Sequence, residues 1–306
     1  MTPIQPLTLS TIQLVHLDEL VALQIRNTHG EALIALQGAQ VLQYTPKGQK
    51  PLIWLSEQAQ FKQGRSVRGG IPVCWPWFGD LTRNPEPVQR AVQGAASLPA
   101  HGLVRGQTWR LESTSEDQDA TQVVLSYPTP AGLTPTWPHL VDLRLSIRLG
   151  ASLQLELSNH NSDSQPVALS QALHTYFAVS DVRQVQVEGL EDVPYLDTLD
   201  QWRTKQDTTA LRFQGETDRV YQQVPAALAI LDPAWQRRIQ IRATNSTSAV
   251  VWNPWVEKSR RLSEFADDAW QRMLCIETAN VMDNCLTLAP GETHRLRVEY
   301  WVEALA

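Results

Sequence analysis

The sequence predicts an all-β protein, built from large antiparallel sheets stacked as a β-sandwich. Three observations carry this: apolar and polar residues alternate with period two along most of the chain, only one stretch has helical character, and that stretch is too short and isolated to supply crossovers for a parallel sheet. In chain order, apolar runs at 20–25, 32–36 and 123–125 read as strands. Val141, Leu143, Leu145, Ile147 and Leu149 then point one way while Asp142, Arg144, Ser146 and Arg148 point the other. Leu153, Leu155 and Leu157 repeat the pattern after a turn containing Gly150, which predicts a hairpin. The same period returns at Val185 and Val187, at Ile239 and Ile241, and at Leu296, Val298, Tyr300 and Val302. The helical stretch is expected at 261–270, and the proline-rich segments 82–100 and 126–138 read as long loops of the kind that carry function.

With 306 residues and no repeat or composition break, the chain is expected to form one domain spanning 1–306. Its hydrophobic content of 42% and charged content of 19% are those of a soluble globular protein, and no apolar run approaches the roughly 18 residues a spanning helix needs. Residues 1–10 have neither a basic region nor an apolar core, so a cytoplasmic, non-membrane protein is expected. The three cysteines, Cys74, Cys275 and Cys285, lack metal-ligand spacing and sit among apolar residues, as reduced buried thiols do. A formal charge of −6 argues against nucleic acid and leaves small anions as the charged ligands to consider.

The most informative stretch runs from Arg65 to Asp80. Arg65 and Arg68 precede Gly69-Gly70, a pair that would let backbone approach a ligand, and Pro72 and Pro76 stiffen a segment holding Trp75, Trp77 and Phe78. Guanidinium groups bind anions and aromatic faces bind sugar rings, although the same residues would also suit a buried turn with core tryptophans. His101 and Arg105 follow, with Gly102 between them. His174 stands in an otherwise apolar strand, where it is either a satisfied core residue or a side chain aimed into a cleft. Asp197 follows a strand and either holds a hydroxyl or caps its turn. Trp252-Asn253-Pro254-Trp255 repeats the aromatic and proline theme, and Glu277 ends an apolar run where a carboxylate is costly unless paired or in a wet pocket.

Together these segments resemble the aldose 1-epimerase (mutarotase) superfamily, and within it the hexose-6-phosphate mutarotases. The resemblance rests on Arg68-Gly69-Gly70-Ile71-Pro72 with Trp75-Pro76-Trp77-Phe78-Gly79, His101-Gly102 with Arg105, Leu173-His174-Thr175-Tyr176-Phe177, Gly189-Leu190 with Tyr195 and Asp197, Trp252-Asn253-Pro254-Trp255, and Glu277-Thr278. Ala100 departs from it, standing where related members often carry glutamine. The resemblance implies a galactose mutarotase-like supersandwich with the sugar in a cleft on a concave face. It implies His174 as the acid that protonates the ring oxygen and Glu277 as the base at the anomeric hydroxyl, with neither metal nor redox cofactor. Arg68 and Arg105 would clamp a 6-phosphate with Arg65 assisting, His101 and Asp197 would bind hydroxyls, and Trp75, Trp77 and Trp255 would offer an apolar platform. Unperturbed histidine and glutamate titrate near 6.5 and 4.3, so both forms needed are populated near neutral pH without large shifts.

The expected partner is thus a hexose phosphate, handled by a monomer. Two alternatives stay open: a mutarotase of unphosphorylated aldoses, and a non-catalytic sugar binder, which would have no need of an acid and a base. A glycosidase would want two flanking carboxylates, and only Glu277 stands out.

Overall fold

The computed structural model describes residues 9–94, 98–127 and 135–305. The strands form two large antiparallel sheets, a four-stranded meander and a two-stranded ribbon. The meander takes Ile12–Leu17, Leu20–Asn27, Gly30–Ala35 and Val41–Pro46 in sequence order. A bridge from Tyr44 to Ile53, and another from Ile53 to Phe177, link its last strand to the eight-stranded sheet.

A nine-stranded sheet contains the hairpin Val141–Leu149 and Leu153–Asn161, followed by Thr293–Ala304 and Arg237–Thr244 as neighbours. Its apolar residues Val141 to Leu149, taken at every second position, are buried and their polar neighbours are not, as the alternation requires. The eight-stranded sheet runs Arg203–Lys205, Tyr195–Asp197, Thr217–Gln222, Ser248–Asn253, Met273–Asn280, Gln171–Leu173 and Val73–Cys74, with Tyr176–Ala178 also paired to Met273–Asn280. Ser248–Asn253 and Met273–Asn280 are buried along their full length, so both faces of this sheet are covered and the strands read as near-continuous apolar runs.

One face packs on the nine-stranded sheet, where Phe177 meets Tyr300 edge-on at 5.2 Å between ring centres. Trp75 Nε1 donates to Asn159 Oδ1 at 2.7 Å, and Asn159 donates on to Gln171, which donates to Asn280. This polar line is fully buried, each amide serving the next, so it fixes how the sheets sit without leaving a donor stranded. The opposite face of the eight-stranded sheet carries a second, smaller apolar cluster of Cys74, Ala172, Val220, Val250, Ala279 and Val281, covered in part by Phe78, Trp202 and Met282.

Two sequence expectations need correction. Residues 261–270 are not a helix: the helical turns are Trp255–Ser259 and Ala269–Arg272, with Glu264 between them at φ +57, a left-handed conformation that ends a helix. Phe265 and Trp270 are drawn into the core, and Asn253 Nδ2 bonds the carbonyls of Trp270 and Met273, so tertiary contacts hold this stretch. Segment 82–100 is not wholly irregular either, since it opens with a 3₁₀ turn, Leu81–Arg83, and a helix, Glu86–Arg90, whose proline lies in the first turn where its missing N–H costs nothing. Of the other expected loop, residues 128–134 lie outside the described residues, as do 1–8 of the amino terminus. No helix among the described residues is long and apolar enough to cross a membrane.

Candidate active site

The site forms on the face of the eight-stranded sheet that bears the smaller apolar cluster. Cys275 and Glu277 share that face of Met273–Asn280. Trp252 lies opposite Cys275, and Asp218, on the next strand, lies opposite Trp252. His174 follows the strand Gln171–Leu173 and is tied down by its own amide, which donates to the Pro72 carbonyl at 2.9 Å. The two registers bring His174 Nε2 to 3.4 Å from Glu277 Oε1.

Both groups are buried, Glu277 at 2% exposure and His174 at 9%. Among the described residues Glu277 Oε2 and His174 Nδ1 have no hydrogen-bond partner. Buried polar atoms are rarely left so. Burial, reinforced by the Asp218 carboxylate, pushes Glu277 well above the usual carboxylate range, while Arg105 pulls the other way. Burial, with His101 and Arg105 adding to it, holds His174 well below the ordinary histidine value. The mild shifts expected from sequence are therefore wrong in size: the sequence shows that a glutamate and a histidine sit in apolar strands but not that they are sealed against each other.

Tyr176 stacks beneath His174, the rings nearly parallel at 4.9 Å, and Trp252 meets His174 edge-on at 6.4 Å. His101 stands on the other side, edge-on to His174 at 5.6 Å and to Phe78 at 4.9 Å. Burial, then Arg105 and Arg68, brings His101 down to about 3, so it stays neutral. Those two guanidinium groups act on both histidines. Arg105 Nη2 donates to the Ala100 carbonyl at 2.6 Å and Arg68 Nε to the Ser263 carbonyl at 3.4 Å. Among the described residues neither forms an ion pair with a carboxylate, unlike most of their counterparts on the surface.

His174, Glu277, His101, Arg68 and Arg105 are thus brought together, and four other expectations are not met. Arg65 lies 3.4 Å from Glu264, whose side chain is only 9% exposed, so its charge is already matched. Asp197 accepts from the Leu199 amide at 3.1 Å and from Lys205 at 2.7 Å, which leaves it holding its own turn. Trp75 and Trp77 are wholly buried, Trp75 against Trp137 at 4.6 Å and Trp77 bonded to the Pro99 carbonyl, while Trp255 packs on Trp270 at 4.3 Å. Gly69 and Gly70 serve the fold: a Cβ would fall 2.8 Å from Leu55 Cα at the first and 2.3 Å from the Val41 carbonyl at the second.

Asp218 is the carboxylate of this cluster that the sequence did not single out, and Trp252, noticed there only within an aromatic and proline run, is its aromatic. Asp218 shares a face with apolar Val220 in Thr217–Gln222, and an acid on the inward side of a strand was the available signal. Burial raises it, and Lys258, 3.9 Å away, pulls it down again.

This architecture matches known proteins throughout its length. The chain is 33% identical over 293 residues to a protein of Cenchrus ciliaris named "Putative glucose-6-phosphate 1-epimerase", covering 92% of this chain and 84% of that protein. The crystal structure of a "putative mutarotase" from Salmonella typhimurium, 28% identical, superposes with a TM-score of 0.87 over 99% of this chain and 97% of that one. A galactose mutarotase-like protein from Clostridium acetobutylicum, at 14% identity, shares the fold with a TM-score of 0.70 over 96% and 98% of the two chains. The Aldose 1-epimerase family model matches residues 21–301, and with that match the chain belongs to the aldose 1-epimerase family of isomerases.

Proposed function

We propose that the chain interconverts the α and β anomers of hexose 6-phosphates, glucose 6-phosphate first among them, through the His174 and Glu277 pair. The observation that carries the reading is a buried acid–base pair with two unmet polar atoms, set beside two guanidinium groups that form no ion pair with a carboxylate among the described residues. The relative from Cenchrus ciliaris carries the corresponding name.

Glu277 takes the proton of the anomeric hydroxyl as the bond from C1 to the ring oxygen breaks, and His174 gives its proton to that oxygen. The open-chain aldehyde rotates about C1–C2, and the reverse transfers close the ring as the other anomer, returning both protons. Moving one proton across the 3.4 Å contact converts the neutral pair into carboxylate and imidazolium without exchange with solvent. A carboxyl pushed upward is a stronger base and an imidazole pushed downward a stronger acid, the directions ring opening calls for. Arg68 and Arg105 hold the phosphate through charge-assisted bonds, while His101 and Asp218 bond sugar oxygens. We further take the chain to act as a cytoplasmic monomer with no nucleic-acid or membrane partner.

Anomer exchange followed by NMR, with glucose 6-phosphate and free glucose as substrates, tests the reading. A large preference for the phosphate is expected. Arg68→Ala or Arg105→Ala should lower kcat/KM for it by about ten- to a hundredfold and leave free glucose little changed. Arg65→Ala should do much less, because Glu264 already occupies that guanidinium. Equal handling of the two sugars, or parallel loss of both in the variants, would overturn the phosphate clamp in favour of free aldoses.

A further inference from the structure

The surroundings of His101 determine which of its ring nitrogens carries the proton. Its backbone lies at φ +65, and its amide donates to the Gly79 carbonyl at 2.8 Å. In return the Gly79 amide donates to His101 Nδ1 at 3.3 Å, and Cys74 Sγ lies 3.4 Å from the same nitrogen. An amide N–H can only donate, so Nδ1 must offer its lone pair. Burial keeps the Cys74 thiol protonated, so its S–H is a donor as well. Turning the ring over would set a carbon–hydrogen edge against both donors and leave the Gly79 amide and the thiol without an acceptor. With Nδ1 occupied, a neutral ring carries its proton on Nε2, which points away from Cys74 and Gly79 and has no hydrogen-bond partner among the described residues.

We propose that Cys74, together with the Gly79 amide, is a positioning residue that locks His101 as the Nε2–H tautomer and makes it a fixed donor to an acceptor oxygen of the bound sugar. The role on the sugar rests on the reading above, whereas the tautomer is measurable with no substrate present. The two histidines then divide the work: His174 has a partner with which to trade a proton, and His101 has only a proton to share. A ring whose Nδ1 is occupied by two donors is barred from acting as the acid or base, although it stands 5.6 Å from the one that does.

The test is ring 15N NMR on the full-length protein, with His101 assigned by its loss in His101→Gln. The expected signature is a pyridine-type Nδ1 and a pyrrole-type Nε2, unchanged between about pH 5 and 8, where an ordinary histidine titrates. A protonated Nδ1, or a His101 that titrates in that range, would overturn the tautomer while leaving the mutarotase reading intact. Conversely, an absence of anomerase activity with this signature present would remove the role on the sugar and leave the lock. In Cys74→Ala, where the Gly79 amide is the one donor left to Nδ1, a second tautomer should emerge beside the first and KM should rise by about three- to tenfold at nearly constant kcat. Unchanged ring shifts and KM there would exclude Cys74. Among variants of His101 itself, glutamine places its amide near the Nε2 position and asparagine near Nδ1. His101→Gln should therefore keep kcat/KM within about tenfold of wild type and His101→Asn should fall about a hundredfold. Equal activities would sink the donor role, and if either variant fails to fold the wild-type spectrum still decides.

Discussion

Glu277 is 2% exposed, and its Oε2 has no hydrogen-bond partner among the described residues, so ionising it in the folded protein strands a charge that water would solvate in the unfolded chain. The folded carboxyl titrates above the unfolded one because of burial and Asp218. Its contribution to stability is therefore complete below the unfolded value of 4.5 and is lost as pH rises through the folded value. Glu277→Gln removes that dependence. The variant should lose about a hundredfold or more in kcat and yet unfold at a higher temperature than wild type at neutral pH, the gap widening from about pH 4.5 upward. Near-wild-type turnover would remove Glu277 from catalysis, and a gap that shrinks with pH would contradict its burial in the neutral form. For His174 the sign reverses. Its depressed value gives stability present above 6.5 and lost as pH falls through the folded value, and the acid limb of kcat/KM should accordingly lie below 6.5.

Individual elements are held in place by single atoms of close approach, and Gly102 is the sharpest case. It sits at φ +79, with the position of a Cβ only 1.9 Å from the Trp75 carbonyl, to which the Leu103 amide also bonds at 2.8 Å. This contact docks the turn carrying His101 and Arg105 onto the strand end at Trp75. Gly79 is also left-handed, at φ +60, but a Cβ there would meet nothing within 4 Å. Gly79→Ala should thus cost about 1 kcal/mol for conformation alone, whereas Gly102→Ala should cost at least about 3 kcal/mol and reduce activity by moving the side chains of His101 and Arg105. Urea unfolding of the two variants checks the order. Similar losses would mean the turn is free to shift.

At the scale of the whole molecule, one apolar cluster runs from the meander, through Ile25 and Tyr44, into both large sheets, through Leu145, Phe177 and Tyr300. The amide line from Trp75 through Asn159 and Gln171 to Asn280 crosses the same interface. With no seam in this core, heating should produce one cooperative transition and a β-dominated circular dichroism spectrum before it. Two well-separated transitions would show that the meander or one sheet folds on its own, and the single-domain expectation would fall.

The all-β fold was legible in the sequence, and so was the oddity of His174 and Glu277 in apolar strands and of His101, Arg68 and Arg105 near glycines, which the structure brings together. Period-two alternation is a local property, and a histidine or glutamate set in an apolar run is anomalous wherever the strand ends up. Which acid lies near Glu277 was not legible. Asp197 and Asp218 are both strand residues, and only cross-strand register shows that one is spent on Lys205 while the other faces Glu277 two strands away. Trp75 packs on Trp137 while Trp252 meets His174, and Arg65 has Glu264, 199 positions later, beside it where Arg68 has the Ser263 carbonyl. By itself the sequence determined the strands and the polar side chains set in them, because alternation and its exceptions depend on near neighbours. Tertiary structure alone decided which charges are paired, how the rings pack and in which direction two buried groups shift, because those depend on atoms brought together from distant parts of the chain.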